Sequence, residues 1–138
     1  YAATEAIVQE LARVRSPGRI LHWWLGDEDL TRRAVDLGCY FSLPPSAVKR
    51  RTDLLDAIPL DRVLTETDHP FGDRRSPGRR PGNVDAVERA LGRRHGIEQD
   101  EVRLKVWHNL ARLTRDVGCG RLLPARVRTL LAALPPPT

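Results

Sequence analysis

The sequence predicts an α/β fold: about three parallel strands, with helices packed between and around them. Short apolar runs at 19–23, 39–43 and 62–66 alternate with longer stretches of helical period, and such alternation is the pattern of a parallel sheet. The second run, Cys39-Tyr40-Phe41-Ser42-Leu43, is rich in aromatic and apolar residues, as a strand covered on both faces should be. The third carries Val63-Leu64 into Glu66-Thr67-Asp68 and stops at Pro70. An apolar strand that closes on acidic residues and then breaks presents a carboxylate at the C-terminal edge of a parallel sheet, where strand ends are rigid and loops admit a ligand.

Taken in order, the chain opens with Ala3, Ile7, Leu11 and Val14 at spacings of four, four and three, one face of an amphipathic helix. Ser16-Pro17-Gly18 ends it, and Arg19 to Trp23 is the first strand. Asp27 is placed to cap a helix from Glu28 to Leu37 with inner face Leu30, Ala34 and Leu37, and Gly38 is its stop. After the strand at 39–43, Pro44-Pro45 turns the chain. Ser46 then begins a helix running through Val48, Leu54 and Leu55 to about Ile58. The third strand follows, and chirality makes both crossovers right-handed.

Beyond it, Phe71 to Gly82 reads as a loop with Pro, Gly, Ser and the arginines Arg74, Arg75, Arg79 and Arg80. A helix from Asn83 to about Arg94 breaks at Gly96. Another starts at Gln99 or Asp100, with Val102, Val106, Leu110 and Leu113 as its inner stripe. Gly118-Cys119-Gly120 interrupts it, and a last helix on Val127, Leu130, Leu131 and Leu134 runs into Pro135-Pro136-Pro137. The expected division is one domain over 1–117 and an appended helix with a Pro-rich tail over 118–138.

Bulk properties narrow the class. The 138 residues suffice for one ordinary domain with a core. Lys and Arg number 23 against 18 Asp and Glu, a net charge of +5, with a pI near 10.0. That balance suits a polyanion such as nucleic acid. All the basic residues but Lys49 and Lys105 are Arg, so a coding bias explains the charge equally well. Cys39 and Cys119 form no ligand spacing or disulfide framework, which makes a reducing cytoplasm the default. No apolar run approaches the roughly 20 residues of a membrane span, and no signal-peptide pattern opens the chain. A soluble protein is expected.

Two residues stand out chemically. Asp68 follows the third strand and His22 ends the first, and imidazole with carboxylate is the usual ligand pair of a divalent hydrolytic centre. Asp68 could also take the proton of an attacking water. Two ligands do not make a site, and each residue has a plain alternative: a loop carboxylate, a satisfied structural histidine. Glu66, two residues before Asp68 and on the same side of the strand, either supports the site or is held by a basic neighbour. Trp23 and Trp24 lie beside His22. Each is either a surface for base stacking, worth about 1–3 kcal/mol per base, or a ring packed between strand and helix. The arginine cluster is a solvated loop or a backbone-binding one, since Arg forks grip phosphate oxygens in pairs. Asn109 falls on the buried side of its helix, where an amide ties down neighbouring backbone.

The residues His22-Trp23-Trp24-Leu25-Gly26, Asp36-Leu37-Gly38-Cys39-Tyr40-Phe41-Ser42 and Ile58-Pro59-Leu60-Asp61-Arg62-Val63-Leu64-Thr65-Glu66-Thr67-Asp68-His69-Pro70 resemble the second half of the TatD family. These are metal-dependent deoxyribonucleases of the amidohydrolase-like barrel type. Gly78-Arg79-Arg80-Pro81-Gly82-Asn83 resembles the family's Arg-Gly-Lys-x-Asn loop, and Trp107-His108-Asn109-Leu110-Ala111-Arg112-Leu113 its closing helix. The likeness runs from Tyr1 to about Leu113. Leu25, where the family has a small hydroxyl residue, and His69, where a small residue is usual, depart from it.

The resemblance implies a partial TIM-type (β/α) barrel of about three parallel strands with flanking helices and extra C-terminal helices. A complete barrel needs roughly 250 residues, and the sequence neither begins with nor contains Met, so a C-terminal piece of a longer protein is expected. It implies a hydrolase that cleaves DNA phosphodiesters, exo- or endonucleolytically, on single strands or ends, with two divalent ions (Mg, Mn or Zn). His22 and Asp68 hold metal, Asp68 is catalytic, Trp23, Trp24, Arg79 and Arg80 hold substrate, and Glu66 and Asn109 support. The family's other ligands, a His-x-His pair, a Glu and another His, precede the region matched here. The chain alone is therefore expected to bind metal weakly and to be inactive without the N-terminal half of the barrel. The alternatives are a non-catalytic barrel that binds nucleic acid or protein, and a related hydrolase of small esters or amides.

Overall fold

A computed structural model describes residues 2–69, 71 and 84–137. Helix α1 (Ala2–Arg13) leads to strand β1 (Ile20–His22), helix α2 (Glu28–Asp36) to strand β2 (Tyr40–Leu43), and helices α3 (Pro45–Arg50) and α4 (Thr52–Ala57) to strand β3 (Val63–Thr65). A single turn of 3-10 helix, Leu60–Arg62, opens β3. Helices α5 (Asp85–His95), α6 (Gln99–Val117) and α7 (Ala125–Ala132) complete the chain. The strands form one parallel sheet in the order β1-β2-β3, with the flanking helices of a partial TIM-type barrel.

Pairing of Ile20 with Tyr40, His22 with Ser42 and Ser42 with Leu64 puts Ile20, His22, Tyr40, Ser42 and Leu64 on one face of the sheet. Leu21, Phe41, Leu43 and Val63 occupy the other, which meets the helices. There Phe41, Leu43 and Val63 join Leu30, Ala34, Val48, Leu54, Leu55, Ile58, Val87, Leu91 and Val102 in one core. Ile20, on the opposite face, is 47% exposed. That face lines an open cleft of about 530 Å³, with Val106, Trp107 and Leu110 of α6 on its far side.

Helix α2 follows the sequence closely. The Asp27 carboxylate accepts from the Leu30 N–H at 2.9 Å, satisfying a donor the first turn would leave orphaned. At the other end Gly38, at φ +80°, lets its own N–H reach the Val35 carbonyl and the Cys39 N–H reach that of Ala34. The residue needs that backbone conformation to close the helix so abruptly.

Elsewhere the structure differs from expectation. In α1 the buried residue is Val8, while Ile7 and Val14 are each 48% exposed. Leu11, three residues on from Val8, packs against the core with it. Ile7 and Val8 are both apolar, so periodicity alone cannot select between faces about 100° apart, and packing on α2 decides. The helix expected over 46–58 is two, broken at Arg51 (φ −129°, ψ 56°). In one straight helix Val48 and Leu54 would point about 120° apart; the break lets both be buried. The Arg51 guanidinium secures it by donating to the Gly26 carbonyl at 3.0 Å and to Asp53 at 2.8 Å. The strands are shorter than expected because Trp23 leaves the extended conformation at φ +50° and β3 ends at Thr65. The Glu66 N–H still reaches the Leu43 carbonyl, at 3.1 Å. Helix α7 buries none of its residues, and Leu130 is 48% exposed. Among the described residues no helix is long and apolar enough to cross a membrane.

Candidate active site

The C-terminal ends of β1 and β3 meet around four side chains. His22, the last residue of β1, directs Nδ1 to Glu66 Oε2 at 2.6 Å. Its Nε2 faces Asp68 Oδ1 at 3.9 Å. Trp23 donates its indole N–H to the other carboxylate oxygen, Asp68 Oδ2, at 2.7 Å. The two carboxylate side chains are sheltered, 14% and 18% exposed, whereas the imidazole is 57% exposed. A histidine open on one side and braced by sheltered acids on the other is what a ligand-binding imidazole requires.

The backbone here is unusual. Trp23 (φ +50°) and Asp68 (φ +46°) are the described non-glycine residues with positive φ. Asp tolerates the left-handed region through its short polar side chain, but a bulky Trp does so at a cost of order 1–3 kcal/mol. The bond between their side chains joins the two strained positions directly. Strain of this kind concentrates where geometry serves function.

The donor set suits a divalent ion. With Nδ1 engaged by Glu66, the outward-facing ring nitrogen is Nε2, and a carboxylate behind a ligating imidazole fixes the ring and raises its basicity. Two donors on one tetrahedral ion at roughly 2.1 Å each lie about 3.4 Å apart, and the 3.9 Å between His22 Nε2 and Asp68 Oδ1 is close to that, wider by about half an ångström. Glu66 Oε1 is buried with no hydrogen-bond partner, leaving one acceptor uncommitted at the centre. No group of three or more His, Cys, Asp or Glu poised around one ion occurs among the described residues. His22 and Asp68 are thus two candidate donors, and an ion held between them would need others.

The remaining candidates separate. Trp24 is in the core, 8% exposed. Its indole donates to Thr31 Oγ1 at 2.8 Å and its ring meets Phe41 edge-on at 5.9 Å, so it packs between strand and helix. Trp23 stays 40% exposed. Asn109, 2% exposed, donates to the Leu60 and Val63 carbonyls at 2.9 and 2.8 Å and accepts from Arg112 at 2.8 Å. It pins the start of the strand whose far end carries Glu66 and Asp68. Arg79 and Arg80, with Arg74 and Arg75, lie outside the described residues.

Sequence reasoning weighed Trp23 for its ring face and missed its polar edge, which is the part that touches Asp68. It also missed a slot of about 190 Å³ on the other side of Trp23, bounded by Leu25, Pro44, Ala47, Arg50 and Leu54.

Comparison with known proteins identifies the family. A profile of the family described as TatD related DNase matches residues 1–115. The Uncharacterized metal-dependent hydrolase YcfH of Escherichia coli K12 is 32% identical over 119 residues, 81% of this chain and 44% of that protein. The mouse protein named Putative deoxyribonuclease TATDN3 is 31% identical over 97 residues, 68% of this chain and 33% of its own length. The chain thus spans less than half of either relative. Matched by that profile over most of its length, the chain belongs to the TatD related DNase family.

Proposed function

We propose that this chain is part of a metal-dependent hydrolase that cleaves the phosphodiester bonds of DNA. The observation that carries the reading is the pairing of His22 with Glu66 through Nδ1, which turns Nε2 toward Asp68 Oδ1 across 3.9 Å. His22 and Asp68 would hold a divalent ion: Mg, Mn or Zn. Such an ion supplies a water of lowered pKa and neutralises charge on the phosphoryl oxygens. Asp68 Oδ2 is tied to Trp23, so Oδ1 is the oxygen turned toward the ion, and the same carboxylate would accept the proton of a water beside it. Glu66 holds the imidazole in place, and Asn109 fixes the start of β3. In the intact protein a second ion and the remaining ligands come from the rest of the barrel. The present chain alone is then a weak metal binder without nuclease activity.

On the substrate side, the exposed ring of Trp23 offers a stacking surface beside the metal ligands. Trp24 supports it from the core. The segment carrying Arg79 and Arg80 follows Asp68 in the sequence, and its guanidinium groups would serve as cations for the DNA backbone. Single strands and ends, whose bases are free to stack, fit this arrangement better than a closed duplex. Both cysteines are free, which suits a reducing cytoplasm.

The test has two parts. Calorimetric titration of this chain with Mn²⁺ should give weak binding that disappears in His22→Ala and Asp68→Ala. The full-length protein should cleave single-stranded DNA only with divalent metal, and Asp68→Ala should abolish cleavage. Cleavage that persists in chelator or survives Asp68→Ala would refute the reading. Hydrolysis of small esters or amides in place of DNA would point to a different substrate for the same centre. DNA or protein binding without turnover, persisting in chelator and weakening with salt, would identify a non-catalytic barrel.

A further inference from the structure

We propose that the slot beside Trp23 is a subsite for one nucleotide, with the base against the Trp23 ring and its phosphate on Arg50. This rests on the reading of the protein as a DNA hydrolase and names where one unit of that substrate sits. The slot lies between the turn after β1 and the α3–α4 pair, with Trp23, Leu25, Pro44, Ala47 and Leu54 in its lining. These walls are apolar. Its volume of about 190 Å³ is below the roughly 300–1,000 Å³ typical of drug-sized ligands. A single heterocycle fits that volume, and a longer ligand does not.

Three features favour a base over another apolar group. The Trp23 ring is already fixed: its N–H is bound to Asp68 at 2.7 Å, and its backbone is held at φ +50°. A flat ligand stacking on it gains dispersion and loses little ordering entropy. The rim carries the right charge. Arg51, deeper in, is committed to Gly26 and Asp53, but the exposed Arg50 has no hydrogen-bonding or ion-pair partner for its guanidinium among the described residues. A free guanidinium above an apolar slot complements a ligand with a flat apolar body and an anionic group. The position is also right, because Trp23 is shared by the slot and by Asp68. A base stacked there would rest on the side chain that also holds the Asp68 carboxylate.

The experiment is a titration of the isotopically labelled chain, in chelator, with thymidine monophosphate, thymidine and inorganic phosphate in turn. Chemical shifts of the Trp23 indole N–H and the Leu25 methyls report occupancy. The nucleotide should shift both signals, and Arg50→Glu should weaken it by roughly tenfold or more, the loss expected of a charge-assisted bond. Thymidine should shift the same signals more weakly and be indifferent to Arg50→Glu. Leu25→Asp, a second exposed substitution that leaves the core intact, should weaken both ligands. Nucleotide binding that leaves Trp23 and Leu25 unmoved, or is unchanged in Arg50→Glu, would overturn the proposal. Because binding is read without metal, failed cleavage by the full-length protein would sink the hydrolase reading and leave the subsite standing. Cleavage with an empty slot would do the reverse.

Discussion

Replacing Asn109 with alanine removes three hydrogen bonds at one buried point: two from its amide to the Leu60 and Val63 carbonyls and one from Arg112 to its Oδ1. Arg112 keeps two other partners, the Tyr40 hydroxyl at 3.1 Å and the Asp61 carbonyl at 2.7 Å, so its loss is small. The two backbone carbonyls carry the cost. A buried polar group left without its partner costs about 1–3 kcal/mol, and water in an open cleft lined by Leu60, Asp61 and Asn109 recovers part of it at the Leu60 end. The expected loss is about 2–4 kcal/mol, a large share of the roughly 5–15 kcal/mol that stabilises a domain. Asn109→Asp should do at least as much harm, because it sets a carboxylate oxygen against the same two carbonyls. Urea unfolding followed by far-ultraviolet circular dichroism measures both, with the slope against denaturant unchanged. A loss below about 1 kcal/mol for alanine, with aspartate no worse, would show that the amide does not tether β3.

Three more outcomes follow from the geometry. Trp23→Phe keeps a ring but deletes the N–H bound to Asp68 Oδ2; metal affinity by calorimetry should fall about 10–100-fold, the usual effect of losing a group that orients a ligand, and unchanged affinity would refute the orienting role. Arg103→Leu strands the Glu88 carboxylate, which is 3% exposed and, among the described residues, otherwise held only by Gln99, at a cost of about 2–3 kcal/mol. Adding Glu88→Gln should restore much of that stability in the same unfolding assay. Burial pushes the Cys39 thiol up, outweighing the opposing pull of Arg19 and Arg62. A folded value above the unfolded one means its contribution to stability is intact below the ordinary thiol range and is lost as pH rises through the folded value. Mass spectrometry after mild alkylation should therefore find Cys119 modified first and Cys39 only as the chain unfolds; equal rates would contradict its burial.

The parallel sheet and the order of its helices were legible because alternation of short apolar runs with helical stretches leaves few arrangements. His22, Glu66 and Asp68 could be named because they stand at strand ends. Their relations could not. The bond from Glu66 to His22 joins residues 44 apart, and only the register of two strand pairs brings them together. The Trp23–Asp68 bond depends on two left-handed residues, and nothing in residue type announces a left-handed Trp. The choice of Val8 over Ile7 and the break at Arg51 were likewise settled by tertiary packing, which outweighs periodicity where neighbouring positions are equally apolar.

One residue that donates nothing to the centre still governs it. Strands β1 and β3 do not touch; β2 runs between them, so their axes lie roughly 9.6 Å apart, and Ser42 stands in the row between His22 and Leu64. The imidazole and the Glu66 carboxylate bond each other across β2, and a serine in the row between leaves room for that bridge. A leucine or phenylalanine at 42 would stand up as a fence, parting the two arms and leaving the imidazole to swing. Variation at this position should then be limited by height, not by polarity. Alanine, which has no hydroxyl, would be harmless there.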